Sequence, residues 1–233
     1  MNTEDAFDGH GGQSPKWAGA PRRVADAAVV ALHGRGSTAE GILRLADEFH
    51  EHGVAYVAPQ ARRNSWYPHS FLAPVGRNEP ALSSALAAVD SAVAEVTEGG
   101  IPHERIVLLG FSQGACLAAE YVARNPRRYG GLVVLSGGLV GPEGTTFGHE
   151  GDLRGTPVFL GCSDVDPHVP VGRVHESRAL FERLGGDVTE RIYEGMAHRV
   201  NDDEMALVRD LLAGLRRDER TDADASDTGR GAE

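Results

Sequence analysis

Apolar residues along this chain fall into short continuous runs separated by longer amphipathic stretches. "AAVVALHG" (27–34), "VAYVAP" (54–59), "RIVLLG" (105–110), "GLVVLSG" (131–137) and "TPVFLGC" (156–162) read as strands buried on both faces. "DVTERIYEG" (187–195) is a sixth candidate with a more alternating pattern. Helical periodicity lies between them at about 38–52, 80–98, 113–124 and 173–185, and again at about 203–216. This alternation predicts an α/β domain over 21–216, with a mostly parallel sheet covered by helices on both sides. Two ends fall outside the pattern. Residues 1–20 form an N-terminal extension expected to be partly ordered, and the acidic "RDERTDADASDTGRGAE" (217–233) is expected to be a disordered tail.

The length of 233 residues and the 41% hydrophobic content suit one sizeable core. The formal charge is −11 and Lys16 is the sole lysine, so no basic face exists to neutralise several phosphates. Nucleic acid and anionic membranes are therefore not expected as partners. No apolar run approaches the about 18 residues of a membrane span, and "MNTEDAFDGHGGQSPKW" lacks the basic and apolar regions of a signal peptide. The expectation is a soluble, cytoplasmic protein without membrane insertion. Cys116 and Cys162 sit in apolar surroundings, outside any metal-ligand spacing, and read as reduced core thiols. Nothing in the chain fixes an oligomeric state, and a homodimer is compatible with it.

One connection is too long to be a simple turn. "PQARRNSWYPHSFLAPVGRNEP" (59–80) carries Trp66, Tyr67, Phe71, Leu72 and four prolines without a regular period. Aromatic loops of this kind on a rigid sheet commonly serve binding, so these four residues are the expected roof of a substrate cleft. Packing of the loop onto the body is the competing reading.

The chemistry concentrates in "RIVLLGFSQGACLAAEYVAR" (105–124), where a strand ends in G-x-S-x-G and a helix begins. That context defines the nucleophile elbow of α/β-hydrolases, in which the serine occupies a strained turn and glycines avoid neighbouring backbone. Ser112 is the expected nucleophile, with Gly110 and Gly114 flanking it. A serine nucleophile needs a base, a group that orients the base, and oxyanion donors. In this fold class they follow in the order serine, acid, histidine. His198 in "GMAHRV" comes just after the last strand candidate, whereas His149, His168 and His175 do not. "CSDVDPHVP" offers two acids beyond its strand, Asp164 and Asp166. Asp166 is preferred because the prolines that follow fix its backbone, while Asp164 suits a turn cap. The oxyanion donors would be the backbone N–H groups of Gln113 and of Arg35 in "LHGRGST" (32–38). His33 reads as structural. The Arg35 side chain could face solvent or an acidic substrate group.

With these residues in view, the chain resembles the phospholipase/carboxylesterase family of α/β-hydrolases, which includes acyl-protein thioesterases. The matching pieces are "LHGRG", "APQ", Trp66, "GFSQGA", "LSGGL", "DPHVP" and "GMAH", spanning about residues 28–200. The resemblance implies a compact hydrolase of esters or thioesters, with no large cap domain and neither metal nor organic cofactor. It also implies Ser112, Asp166 and His198 as a catalytic triad, with Arg35 and Gln113 at the oxyanion. The 64–80 stretch looks more like that of bacterial members than like that of the eukaryotic depalmitoylating ones. Dienelactone hydrolases proper carry a cysteine at the elbow, where this chain has serine. The expected substrates are therefore esters of small to medium apolar or aromatic groups, with thioesters or lactones as the alternative; a noncatalytic binding protein of this fold is the remaining reading.

Overall fold

The computed structural model describes residues 9–227, with side chains to residue 215. Seven strands, β1 (Lys16–Gly19), β2 (Ala27–Leu32), β3 (Val54–Ala58), β4 (Ile106–Phe111), β5 (Gly131–Leu135), β6 (Pro157–Ser163) and β7 (Asp187–Tyr193), form one sheet in the order β1-β3-β2-β4-β5-β6-β7. Every pairing is parallel except β1 with β3. Among the described residues, the α-helices are α1 (Ala39–Ala46), α2 (Ala81–Glu98), α3 (Gln113–Arg124), α4 (Val171–Arg183) and α5 (Asp202–Asp227).

The continuous apolar runs arise because both faces of the central strands are covered. In β2, Ala28, Val30 and Leu32 face the core shared with α2, α3 and α4, while Ala27, Val29 and Ala31 face the one shared with α1 and α5. At the edge, β7 keeps one side open to solvent, which accounts for its alternating sequence. α1 begins at Thr38, whose Oγ1 accepts from Gly41 N at 3.1 Å, and is shorter than expected because a 3₁₀ turn over Asp47–Phe49 replaces its end.

The strand that the sequence pattern did not reveal is β1, which lies within the N-terminal extension. Four largely exposed residues bury too little apolar surface to leave a pattern, and pairing with β3 holds them. Residues 1–8 of that extension lie outside the described residues. The α5 backbone is helical to Asp227, which takes in part of the segment 217–233 expected as a tail; residues 228–233 lie outside the described residues. Among the described residues, no helix is long and apolar enough to cross a membrane.

Candidate active site

β4 hands over to α3 through Ser112, whose φ of 55° and ψ of −118° are uncommon for a residue bearing a side chain. Two hydrogen bonds over-determine this turn: Ser112 N donates to Leu135 O on β5 at 2.9 Å, and Ser112 O accepts from Cys116 N at 3.0 Å. Glycine is required on either side. A Cβ on Gly110 would overlap the Gly114 carbonyl, and one on Gly114 would overlap the Leu32 carbonyl at the end of β2. The Ser112 side chain makes no capping bond to α3, so its hydroxyl is directed elsewhere.

That hydroxyl meets His198 Nε2 at 2.9 Å, and His198 Nδ1 meets Asp166 Oδ2 at 2.7 Å. An imidazole with its proton on Nδ1 satisfies both contacts, donating to Asp166 and accepting from Ser112. Asp166 Oδ1 accepts from the backbone N–H groups of His168 at 2.8 Å and Val169 at 3.0 Å, so two consecutive residues of the turn after β6 hold one carboxylate oxygen. Burial pushes the Asp166 carboxyl up, but the bond from His198 and those backbone donors outweigh it, leaving the pKa below the usual range. Asp164 points the other way and accepts from Gly195 N at 2.7 Å, fixing the start of the loop that carries His198. The two acids thus have different work: Asp166 pairs with the imidazole and Asp164 anchors its loop. Of the other histidines weighed, His175 pairs with Glu190 at 3.0 Å on α4 and β7.

The turn after β2 lies against the elbow, since a Cβ on Gly34 would stand 3.5 Å from Ser112 Cβ. His33 is buried and structural: its Nδ1 bonds Gly34 O at 2.8 Å, and its Nε2 accepts from Ala61 N at 3.1 Å. Burial lowers its pKa, which favours this neutral form. The backbone N–H groups of Arg35 and Gln113 donate no hydrogen bond within the chain among the described residues. The Arg35 side chain is committed to the aromatic loop, donating to Ser65 Oγ and Pro68 O at 3.0 Å each and to His69 O at 2.7 Å.

A cleft of about 700 Å³ opens beside Ser112 and His198. Tyr67 and Phe71 line it, whereas Trp66 and Leu72 do not. Trp66 is fully buried and donates its indole N–H to His33 O at 2.8 Å, with its ring between those of His33 and His10. Leu72 packs against the main core. The aromatic loop therefore combines the two readings, with Trp66 pinning it and Tyr67 and Phe71 forming the wall. Sequence reasoning missed Phe111, whose ring centroid lies 5.0 Å from that of His198, and weighed His168 only as a base, whereas its ring stands 4.9 Å from that of His198. Both occupy the variable positions of recognised motifs, which was the available signal. Among the described residues, no three His, Cys, Asp or Glu side chains gather in a way that could hold a metal ion.

The sequence profile of the Phospholipase/Carboxylesterase family matches residues 18–215. The crystal structure of a phospholipase/carboxylesterase from Dyadobacter fermentans DSM 18053 is similar, with a TM-score of 0.82 and 47% identity over 85% of this chain and 95% of that one. Acyl-protein thioesterase 1 of Yarrowia lipolytica is 27% identical over 205 residues, covering 80% of this chain and 90% of that protein. Acyl-protein thioesterase 1 of Kluyveromyces lactis is 34% identical over 139 residues, an alignment covering 58% of this chain and 61% of that protein. The chain belongs to the phospholipase/carboxylesterase family and is a serine hydrolase with the α/β-hydrolase fold.

Proposed function

We propose that this protein is a carboxylesterase that cleaves esters of small to medium apolar or aromatic groups through an acyl-enzyme. The observation that carries the proposal is the unbroken chain of hydrogen bonds from Asp166 through His198 to Ser112, ending at an open cleft. Ser112 Oγ attacks the acyl carbon while its proton passes to His198 Nε2, and the resulting imidazolium is held by the Asp166 carboxylate. The tetrahedral oxyanion is met by the N–H groups of Arg35 and Gln113, the latter at the positive end of the α3 dipole. Collapse breaks the bond to the alkoxide, which takes the proton from His198. Water then enters, gives a proton to Nε2 and attacks the acyl-enzyme, and the return of that proton to Ser112 Oγ releases the acid. Phe71, Phe111 and Tyr67 supply apolar surface around the acyl and alcohol groups.

Acyl thioesters are the second reading, favoured by the two relatives named as acyl-protein thioesterases. The same residues serve, because only the leaving atom changes. The test is a side-by-side assay of p-nitrophenyl esters and acyl thioesters, with fluorophosphonate labelling. Wild type should label and turn over at least one class. Ser112→Ala should do neither, with a loss of about 10³-fold or more in kcat. Turnover retained by Ser112→Ala within a factor of ten of wild type would remove the assignment.

A further inference from the structure

The cleft differs in charge from the molecule that surrounds it. The chain has 34 acidic residues against 23 basic ones, yet among the described residues no Asp or Glu lines the cavity. The basic side chains of its lining residues are those of Arg35, His69, His168 and His198, and Tyr67 and Cys116 are the other titratable ones. The Asp166 carboxylate lies behind His198 with a side chain 0% exposed, and its charge is engaged by the imidazole and two backbone donors.

Arg35 is the decisive group. Its three hydrogen-bond acceptors are two carbonyl oxygens and a hydroxyl, all neutral, so among the described residues its charge has no carboxylate counterpart. Two of its five N–H donors, the Nε–H and one on Nη2, have no partner within the chain among the described residues. Arg173, which lies below Phe71, is different: it is buried and its charge is met by Glu176 at 2.7 Å. The contacts to Ser65, Pro68 and His69 hold the Arg35 guanidinium at the cleft wall, so little side-chain entropy is lost when it meets a ligand.

We propose that the cleft selects esters that carry a carboxylate on the acyl or alcohol portion, with Arg35 as the residue that determines this specificity. This rests on the acyl-hydrolase reading above and narrows its substrate class. In a partly solvated cleft, Coulomb attraction over a separation on the order of 6 Å is enough for a preference of about five-fold. The same exposure makes the effect vulnerable to salt, since the Debye length contracts to about 3 Å at 1 M.

The test compares 4-acetoxybenzoate with 4-acetoxybenzamide, two esters of nearly equal shape that differ in charge. Each kcat/KM is divided by the ester's own rate of hydroxide hydrolysis, which removes the difference in leaving group. At low salt, wild type should favour the carboxylate at least about five-fold, and 1 M NaCl should bring the ratio close to one. Arg35→Gln should bring the normalised ratio to about one at low salt, whatever common loss of rate on both esters follows from the loosened wall. Because that change also loosens the aromatic loop, the salt dependence of wild type provides a second readout that needs no variant. A normalised ratio of one or below at low salt, with the neutral ester turned over, would overturn the anion preference and leave the hydrolase reading intact. Failure to cleave either ester, with no fluorophosphonate labelling of Ser112, would overturn both.

Discussion

Glu204 is 0% exposed, a rare state for a carboxyl group, and its substitution by Gln tests what that burial costs. It sits in the first turn of α5, where Asn201 Oδ1 accepts from Glu204 N and Glu204 Oε2 accepts from Asn201 N, both at 2.9 Å. This reciprocal cap closes the loop carrying His198. The other oxygen, Oε1, has no hydrogen-bond partner among the described residues and rests against Gly161 of β6. Burial pushes the carboxyl from its ordinary 4.5 to about 7, against the opposing effect of the Asn201 N–H. Between those pH values, the folded state binds a proton that the unfolded state has released, so stability falls as pH rises. The full effect is about 3 kcal/mol, or about 6–12 °C in Tm for a domain of this size. Below pH 4.5 and above about 7, Glu204 contributes no slope. Glu204→Gln removes the titration while its side-chain oxygen can still accept from Asn201. Melting curves of wild type and variant from pH 4.5 to 8 should show the variant gaining on wild type steadily as pH rises. Taking the difference cancels His10 and His33, whose pKa values are lowered by burial and whose contributions run the opposite way. A difference in Tm that is constant across that range would refute the reasoning.

Asp166→Asn should lower kcat/KM by about 10³–10⁴-fold, because Asn cannot hold the required tautomer, whereas Asp164→Asn should cost about tenfold or less through a looser loop. Steady-state kinetics with a neutral p-nitrophenyl ester decide this, and an equal or larger loss at Asp164 would reverse the assignment. Gly114→Ala should destabilise the fold by about 3 kcal/mol or more in denaturant titrations, since its Cβ meets backbone that cannot yield; unchanged stability would remove the packing argument. Trp66→Phe should cost about 1–3 kcal/mol through the orphaned His33 carbonyl and lower activity on acetate and bulky esters in equal proportion. Selective loss on bulky esters would return Trp66 to the cleft.

Much of this architecture was legible because its signals are local. β2, β4 and β5 are buried on both faces, so their runs are apolar throughout, and Gly110 and Gly114 record a close approach that any residue with a Cβ would block. What was illegible depended on partners distant in sequence. The prolines after Asp166 favoured it over Asp164, but the contacts that separate the two acids are made with Gly195 and His198 some 30 residues later. The division of labour between Trp66 and Tyr67 was hidden because an irregular loop has no period from which to read a face. β1 bears no hydrophobic pattern and exists through its ladder with β3. His10, from the same N-terminal segment, accepts from Arg62 N at 3.0 Å and bonds Trp66 O at 2.9 Å, contacts across more than fifty residues that no motif announces.

The aromatic loop also explains why the elbow residue after Ser112 is glutamine. Gln113 Oε1 accepts from Trp66 N at 2.9 Å, and Gln113 Nε2 donates to Tyr67 O at 2.8 Å, so both ends of one amide are used on adjacent residues of the loop. Arg35 grips the next segment through Pro68 and His69, and the Trp66 indole is bound to His33 in the turn that leads to Arg35. The two residues whose N–H groups are proposed to meet the oxyanion are thus the same two whose side chains hold the cleft wall. These two side chains therefore tie the loop that lines the cleft to the turns bearing the proposed oxyanion donors, within a fold that has no large cap domain.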